Sequence, residues 1–249
     1  MEASFSPAHV TTMLPILRTT SWATTPIDVG GVSSSPATMC LTGGFHAGFV
    51  HGPTSAELSA GAHDSPTTEP PMLAPAQPPL READEPALNV PLTVVWQRAA
   101  DRLTYCARVD EASPFRTVPL PHAPLGTNAV LLSTVGTHAT SWLAHPHTAT
   151  LVSQYCAQQL GKRFYIFFAP AEGSLIVTTS RSAPTVETVV KIIFRRSSMR
   201  ITDTPFILRD GWIEPLRMRT QRRRHVLLPA HTQLPIAHLS PRSIEAIFQ

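Results

Sequence analysis

Apolar residues change their spacing along this chain, and the change falls near residue 92. Before that point neither a period of two nor one of 3.6 is sustained. Proline, serine and threonine interrupt the apolar positions, as in 32–36 (VSSSP) and 70–79 (PPMLAPAQPP). Such sequence buries too little apolar surface to offset the entropy of ordering it. Its proline-rich part favours extended polyproline conformations. Residues 1–90 are therefore expected to form a disordered arm that the fold can do without, with 43–50 as one apolar island.

From residue 92 the pattern becomes regular. Residues 92–97 and 103–109 are rich in β-branched and aromatic side chains, and Arg98-Ala99-Ala100-Asp101 between them has the length of a hairpin connection. A proline-punctuated loop leads to a short apolar strand at 129–133. The spacing then predicts a helix over 146–160, with Pro146 in its first turn and Gly161 at the left-handed position beyond its end. Leu151, Val152, Tyr155, Cys156 and Leu160 make its apolar stripe. Residues 164–168 read as a buried strand, 169–173 as a turn and 175–179 as the neighbouring strand. A second helix follows at 184–196, with Val186, Val189, Val190, Ile193 and Phe194 as its stripe. Glu187 near its start and Arg195-Arg196 near its end match the helix dipole. The expected order over 92–196 is β-β-β-α-β-β-α, an α+β domain with a mainly antiparallel sheet. Residues 197–249 read as a basic, irregular extension with apolar pieces at 206–208, 226–228 and 244–248.

Composition sharpens this division. The 249 residues include 25 Pro against 12 Gly, and only 15% are charged. The net charge of +3 is unevenly spread: residues 1–91 hold two basic and eight acidic side chains, residues 92–249 eighteen and nine. Three cysteines, Cys40, Cys106 and Cys156, exclude a disulfide framework and point to a reducing compartment. Residues 117–161 lack Asp, Glu, Lys and Arg, but Pro119, Pro121, Pro124 and Pro146 break the stretch too often for a membrane span. A cytoplasmic or nuclear location is expected, with a mitochondrial one as the alternative suggested by the Ser/Thr-rich, acid-poor start.

Candidate chemistry is sparse. His138, His145 and His147 have the proximity of metal ligands, but no carboxylate or cysteine stands near them in sequence, and solvated loop histidines are the expectation. Cys156 lies on the apolar stripe and reads as a buried, inert thiol. Residues 43–48 are glycine-rich but lack the Lys-Ser/Thr ending of a phosphate loop. No G-x-S-x-G or H-E-x-x-H occurs. No enzymatic activity, cofactor or metal is expected. Two binding surfaces remain. The helix 146–160 has no charged side chain, and charge depletion marks the centre of protein–protein contacts. Thr150, Gln154 and Gln158 are its candidate interface residues. Arg217, Arg219, Arg222, Arg223 and Arg224 form a basic tract suited to nucleic-acid phosphates.

The layout of 131–133 (LLS), 151–162 (LVSQYCAQQLGK), 164–168 (FYIFF) and the closing helix 185–196, preceded by a hairpin, resembles the small proteasome assembly chaperones. The third and fourth members of that group pair as a heterodimer. The resemblance spans residues 92–196 and implies a non-catalytic assembly factor whose partners are a structurally similar subunit or proteasome subunits. The chain's last residues, Ile247-Phe248-Gln249, are similar to the hydrophobic-Tyr-X ending of proteasome-binding proteins, with phenylalanine for tyrosine. That likeness adds Phe248 to the candidate interface. The alternative is a ribonucleoprotein-type or mitochondrial-ribosome-type protein that binds nucleic acid through its arginine-rich region.

Overall fold

The computed structural model describes residues 12–51, 79–108, 113–121, 123–124, 126–134, 137–161 and 165–216. Strands β1 (Met13–Thr19), β2 (Ile27–Val29), β3 (Val32–Ser34), β4 (Met39–Cys40) and β5 (Phe45–His51) come first, followed by helix α1 (Leu92–Arg108). Next are β6 (Phe115–Pro119), β7 (Ala129–Thr134), helix α2 (Pro146–Gln159), β8 (Tyr165–Ala171), β9 (Ser174–Thr179) and helix α3 (Ala183–Arg196). A hairpin of β10 (Phe206–Arg209) and β11 (Trp212–Pro215) closes the described chain. All ladders between these strands are antiparallel, and the class is α+β.

The expected disordered arm is corrected over residues 12–51 and 79–90. Strand β1 pairs with β5 from Met13↔His51 to Thr19↔Phe45, and β4 lies on the other side of β5. These strands form because their apolar side chains have somewhere to go. Leu14, Leu17, Phe45 and Ala47 enter the main core, whereas Met13 and Phe49 enter a second one with Leu80, Leu88, Val95 and Ala99. Pro15 interrupts the apolar run in the sequence, yet β1 is an edge strand, where a missing N–H is tolerated. Leu80 is stitched in by its backbone, donating to Phe49 O at 2.8 Å and accepting from Ala37 N at 2.9 Å. Residues 1–11 and 52–78 lie outside the described residues.

The expected hairpin at 92–109 is a helix, α1. Val95, Ala99, Ala100 and Leu103 are all buried, at the spacing of one helical face. Arg98, Ala99 and Ala100 are good helix formers and no Gly, Pro or Asn marks a turn beside Asp101, so the burial of one face outweighs the β-branched Thr93, Val94 and Val95. The proline-rich loop that follows also holds a strand, β6. From β7 to α3 the expected elements are present, and Gly161 takes the left-handed conformation, φ 84°, beyond α2. The observed order over 92–196 is thus α-β-β-α-β-β-α. The hairpin with which the resemblance to the small assembly chaperones opens is therefore a helix.

Residues 197–216 are more regular than expected, because β10 and β11 extend the sheet to six strands in the order β11-β10-β8-β9-β7-β6. Leu132, Phe167, Leu175, Val177 and Phe206 meet Trp142, Val152 and Cys156 on one face, under α2 and the 3-10 turn Ala139–Leu143. The alternating residues Ile166, Phe168 and Ile176 are buried on the opposite face. There α3 packs against β8 and β9 with Val186 and Val190 buried. Both edge strands end in proline, Pro119 and Pro215, and the Thr42 hydroxyl donates to the Ile213 carbonyl of β11. Such edges resist pairing with another chain. Among the described residues no helix is long and apolar enough to cross a membrane.

Candidate functional site

Helix α2 is anchored at its start by a set of buried polar contacts. His145 caps the helix, its Nδ1 accepting from His147 N at 3.2 Å. The Thr148 hydroxyl donates to Trp142 O at 2.7 Å. Trp96 of α1 donates its indole N–H to Ala144 O at 2.7 Å and lays its ring against His145, centroids 4.4 Å apart. Burial holds the His145 pKa below the ordinary histidine value; the neighbouring His147 lowers it further, and Asp101 opposes. The inward side of α2 is Thr148, Ala149, Val152 and Cys156. Burial pushes the Cys156 thiol up to about 12, which leaves it protonated and unreactive.

The outward side is different. His147, Gln154, Gln158 and Gln159 are exposed, with no Lys, Arg, Asp or Glu among them. Gln154 and Gln158 therefore stand where the sequence placed them. Thr150 does not belong to this open face. Its hydroxyl donates to Pro146 O at 2.9 Å, and the tip of the β10–β11 hairpin covers it. A Cβ on Gly211 of that tip would lie 2.1 Å from Pro146 O and 2.8 Å from Thr150 Oγ1. Phe248, Arg217, Arg219, Arg222, Arg223 and Arg224 lie outside the described residues.

A second polar centre was not foreseen from the sequence. Arg18 of β1, only 5% exposed, meets Glu172 of the β8–β9 turn at 2.9 Å, and its guanidinium lies 5.4 Å from the centroid of Trp22. His138 Nε2 approaches the other carboxylate oxygen of Glu172 at 3.9 Å. The Thr140 hydroxyl donates to the Glu172 carbonyl. Burial lowers the His138 pKa; Glu172 opposes that shift and Arg18 adds to it. The one signal in the sequence was Arg18 itself, a single cation inside an apolar run. Its partner, distant in sequence, could not be named.

Of the three histidines weighed as metal ligands, His145 caps α2, His138 lies beside Glu172 and His147 is exposed. Among the described residues no group of three His, Cys, Asp or Glu is placed to hold a metal ion. A cavity of about 100 Å³ lies between Thr19, Gly43, Gly44, Phe45, Thr202 and Pro215. Small-molecule sites typically enclose about 300–1,000 Å³. The glycine-rich segment instead serves packing: a Cβ on Gly43 would lie 2.4 Å from the ring of Pro215. Compared with protein-family models, with curated proteins and with solved structures, the chain matches none of them.

Proposed function

We propose that this chain is a protein-binding factor rather than an enzyme, and that the outward face of α2 docks on another protein chain. One observation carries the reading. Helices α2 and α3 are both 14 residues long, yet their solvent sides differ. Lys191, Arg195 and Arg196 stand exposed on α3, whereas the exposed residues of α2 are His147, Gln154, Gln158 and Gln159. A general shortage of charge in the sequence does not account for that contrast. Solvated helix faces normally carry Lys and Glu, and depletion of charge belongs to the centre of an interface. Glutamine offers donors and acceptors at low desolvation cost, so the face suits a partner of mixed polar and apolar surface.

The narrower form of the proposal is an assembly chaperone that pairs with a structurally similar subunit, as the sequence layout of 131–133, 151–162, 164–168 and 185–196 suggests. The runner-up is nucleic-acid binding through Arg217, Arg219 and Arg222–224. Salt separates the two, because contacts to phosphates weaken steeply as salt rises and an uncharged interface responds little. The test is affinity purification of the tagged full-length chain at low and high salt, beside the Q154E/Q158E variant. Partners that persist in high salt and are lost from the variant support the α2 face. Partners that are RNA-associated, salt-sensitive and lost when Arg222, Arg223 and Arg224 become Ser favour the runner-up.

A further inference from the structure

Helix α3 ends in Arg195-Arg196, and the chain continues Ser197-Ser198-Met199-Arg200. Ser198 thus has arginines two and three residues before it and an apolar residue directly after it. This is the charge pattern that arginine-directed Ser/Thr protein kinases read: acidic pockets take the two guanidinium groups and an apolar pocket takes the following side chain.

The fold presents the pattern at the surface. Ser198 is exposed at the bend that follows α3, and Met199 beside it is 47% exposed. Geometry separates the two serines. Ser197 is held, its N–H donating to Ile193 O at 3.0 Å and its Oγ accepting from Met199 N at 3.1 Å. Ser198 is the apex between that held residue and Met199, whose carbonyl accepts from Glu172 N at 3.1 Å. Arg195, Arg196 and Arg200 form no ion pair among the described residues. Arg200 instead closes the helix, donating from Nη2 to Arg195 O at 2.8 Å and from Nε to Ser197 O at 3.0 Å.

We propose that Ser198 is a phosphorylation site for an arginine-directed protein kinase, and that the phosphate draws Arg200 off the end of α3. In the reaction Ser198 Oγ attacks the γ-phosphorus of ATP. The new O–P bond forms as the bond from that phosphorus to the β–γ bridging oxygen breaks, ADP leaves, and the hydroxyl proton passes to the kinase's catalytic carboxylate. The kinase needs the last turn of α3 and Ser197–Met199 to open. Opening breaks the two Arg200 bonds, the Arg200 contact with the Phe194 ring at 5.7 Å, and the backbone bonds from Ser197 N to Ile193 O and from Glu172 N to Met199 O. Once attached, the phosphate carries about two negative charges. It competes with the Arg195 and Ser197 carbonyls for the Arg200 guanidinium, because charge-assisted bonds are the stronger ones. A dianion near a helix C-terminus also opposes the helix dipole.

The test uses the full-length folded chain with magnesium, ATP and the catalytic subunit of cyclic-AMP-dependent protein kinase as the probe. Mass spectrometry is expected to place one phosphate on Ser198, and S198A should leave that position unmodified. R195A/R196A should be modified roughly tenfold or more slowly, since each lost arginine removes a charge-assisted contact to the kinase. Hydrogen exchange in the last turn of α3 should rise on phosphorylation. Modification of Ser197 in place of Ser198, or no modification of the folded chain, overturns the site. Unchanged exchange after stoichiometric modification overturns the release of Arg200.

Discussion

Arg18 and Glu172 meet at 2.9 Å and tie the three-stranded sheet to the β8–β9 turn of the six-stranded one. Their side chains are 6% and 14% exposed. A buried pair of this kind contributes little over an apolar pair of the same shape, but breaking it strands a charge. E172Q should therefore lower unfolding stability by about 3–5 kcal/mol. R18M/E172Q should recover a large part of that loss. Urea denaturation of the single and double variants measures both, and equal stabilities of E172Q and wild type would remove the pair's structural role.

The same pair shows why the sequence misled about the first fifty residues. Composition judges whether a segment can hold a core by itself, and 12–51 does not have to. Its apolar side chains are buried against α1 and the six-stranded sheet, contacts that are not local in sequence. Met13–Thr19 contains Pro15, which only an edge strand tolerates, and edge position cannot be read from one sequence. The expectation that 1–90 is dispensable is accordingly reversed. A chain starting at Pro91 loses Leu14, Leu17, Phe45 and Ala47 from the main core. Total stability of a domain is about 5–15 kcal/mol, so this truncation should abolish cooperative thermal unfolding. A sharp melt near that of the full chain would contradict the observed packing.

Asp210-Gly211 links β10 to β11 with both residues at positive φ, 52° and 79°. This dipeptide is the strongest short-range hairpin signal; it stands in a region read as irregular, and the strands it joins have four residues each. Gly211 is required twice, by its φ and by the Pro146 carbonyl against it. G211A should cost about 2–5 kcal/mol from left-handed strain and overlap together. It should also loosen the start of α2, measurable as faster amide exchange at 148–152. A stability within error of wild type would show that the hairpin tip does not press on α2.

Acid should destabilise the fold through its histidines. His138 and His145 both have folded pKa values lowered by burial. The unfolded chain, with histidines near ~6.5, then binds protons that the native state refuses. Stability is full above that value and falls as pH drops through it toward the lowered native values. Melting temperatures from pH 7.5 to 5 should decline, and H138Q should flatten part of the decline. A wild-type profile that is level across this window would rule out the burial argument.

What was legible about α2 was its extent, from Pro146 and Gly161, and, from the 3.6-residue periodicity, the outward placement of Gln154 and Gln158. Of the expected stripe, Val152 and Cys156 are buried and Leu151, Tyr155 and Leu160 only half-buried; Thr148 and Ala149 complete the inward side. What was not legible was the covering of Thr150, which depends on a hairpin some sixty residues further along the chain. The paired glutamines also allow a clean perturbation. In the isolated chain Q154E/Q158E should change stability by only a few tenths of a kcal/mol, roughly the scale of exposed substitutions. If the face is docked, two desolvated charges should cost several kcal/mol of affinity, on the order of 2–5. Calorimetric melting of the purified variant checks the first half, and a drop of many degrees would place both glutamines in the fold instead of at its surface.

The most direct measurement is site-specific photocrosslinking in the cells that make the protein. A photoreactive phenylalanine derivative is placed at Gln158 on α2 and, as the control, at exposed Thr188 on the opposite face of the sheet. The protein-binding reading predicts a discrete protein adduct from position 158 that is absent from position 188 and unaffected by nuclease. No adduct from position 158, or the same adducts from both positions, would contradict it.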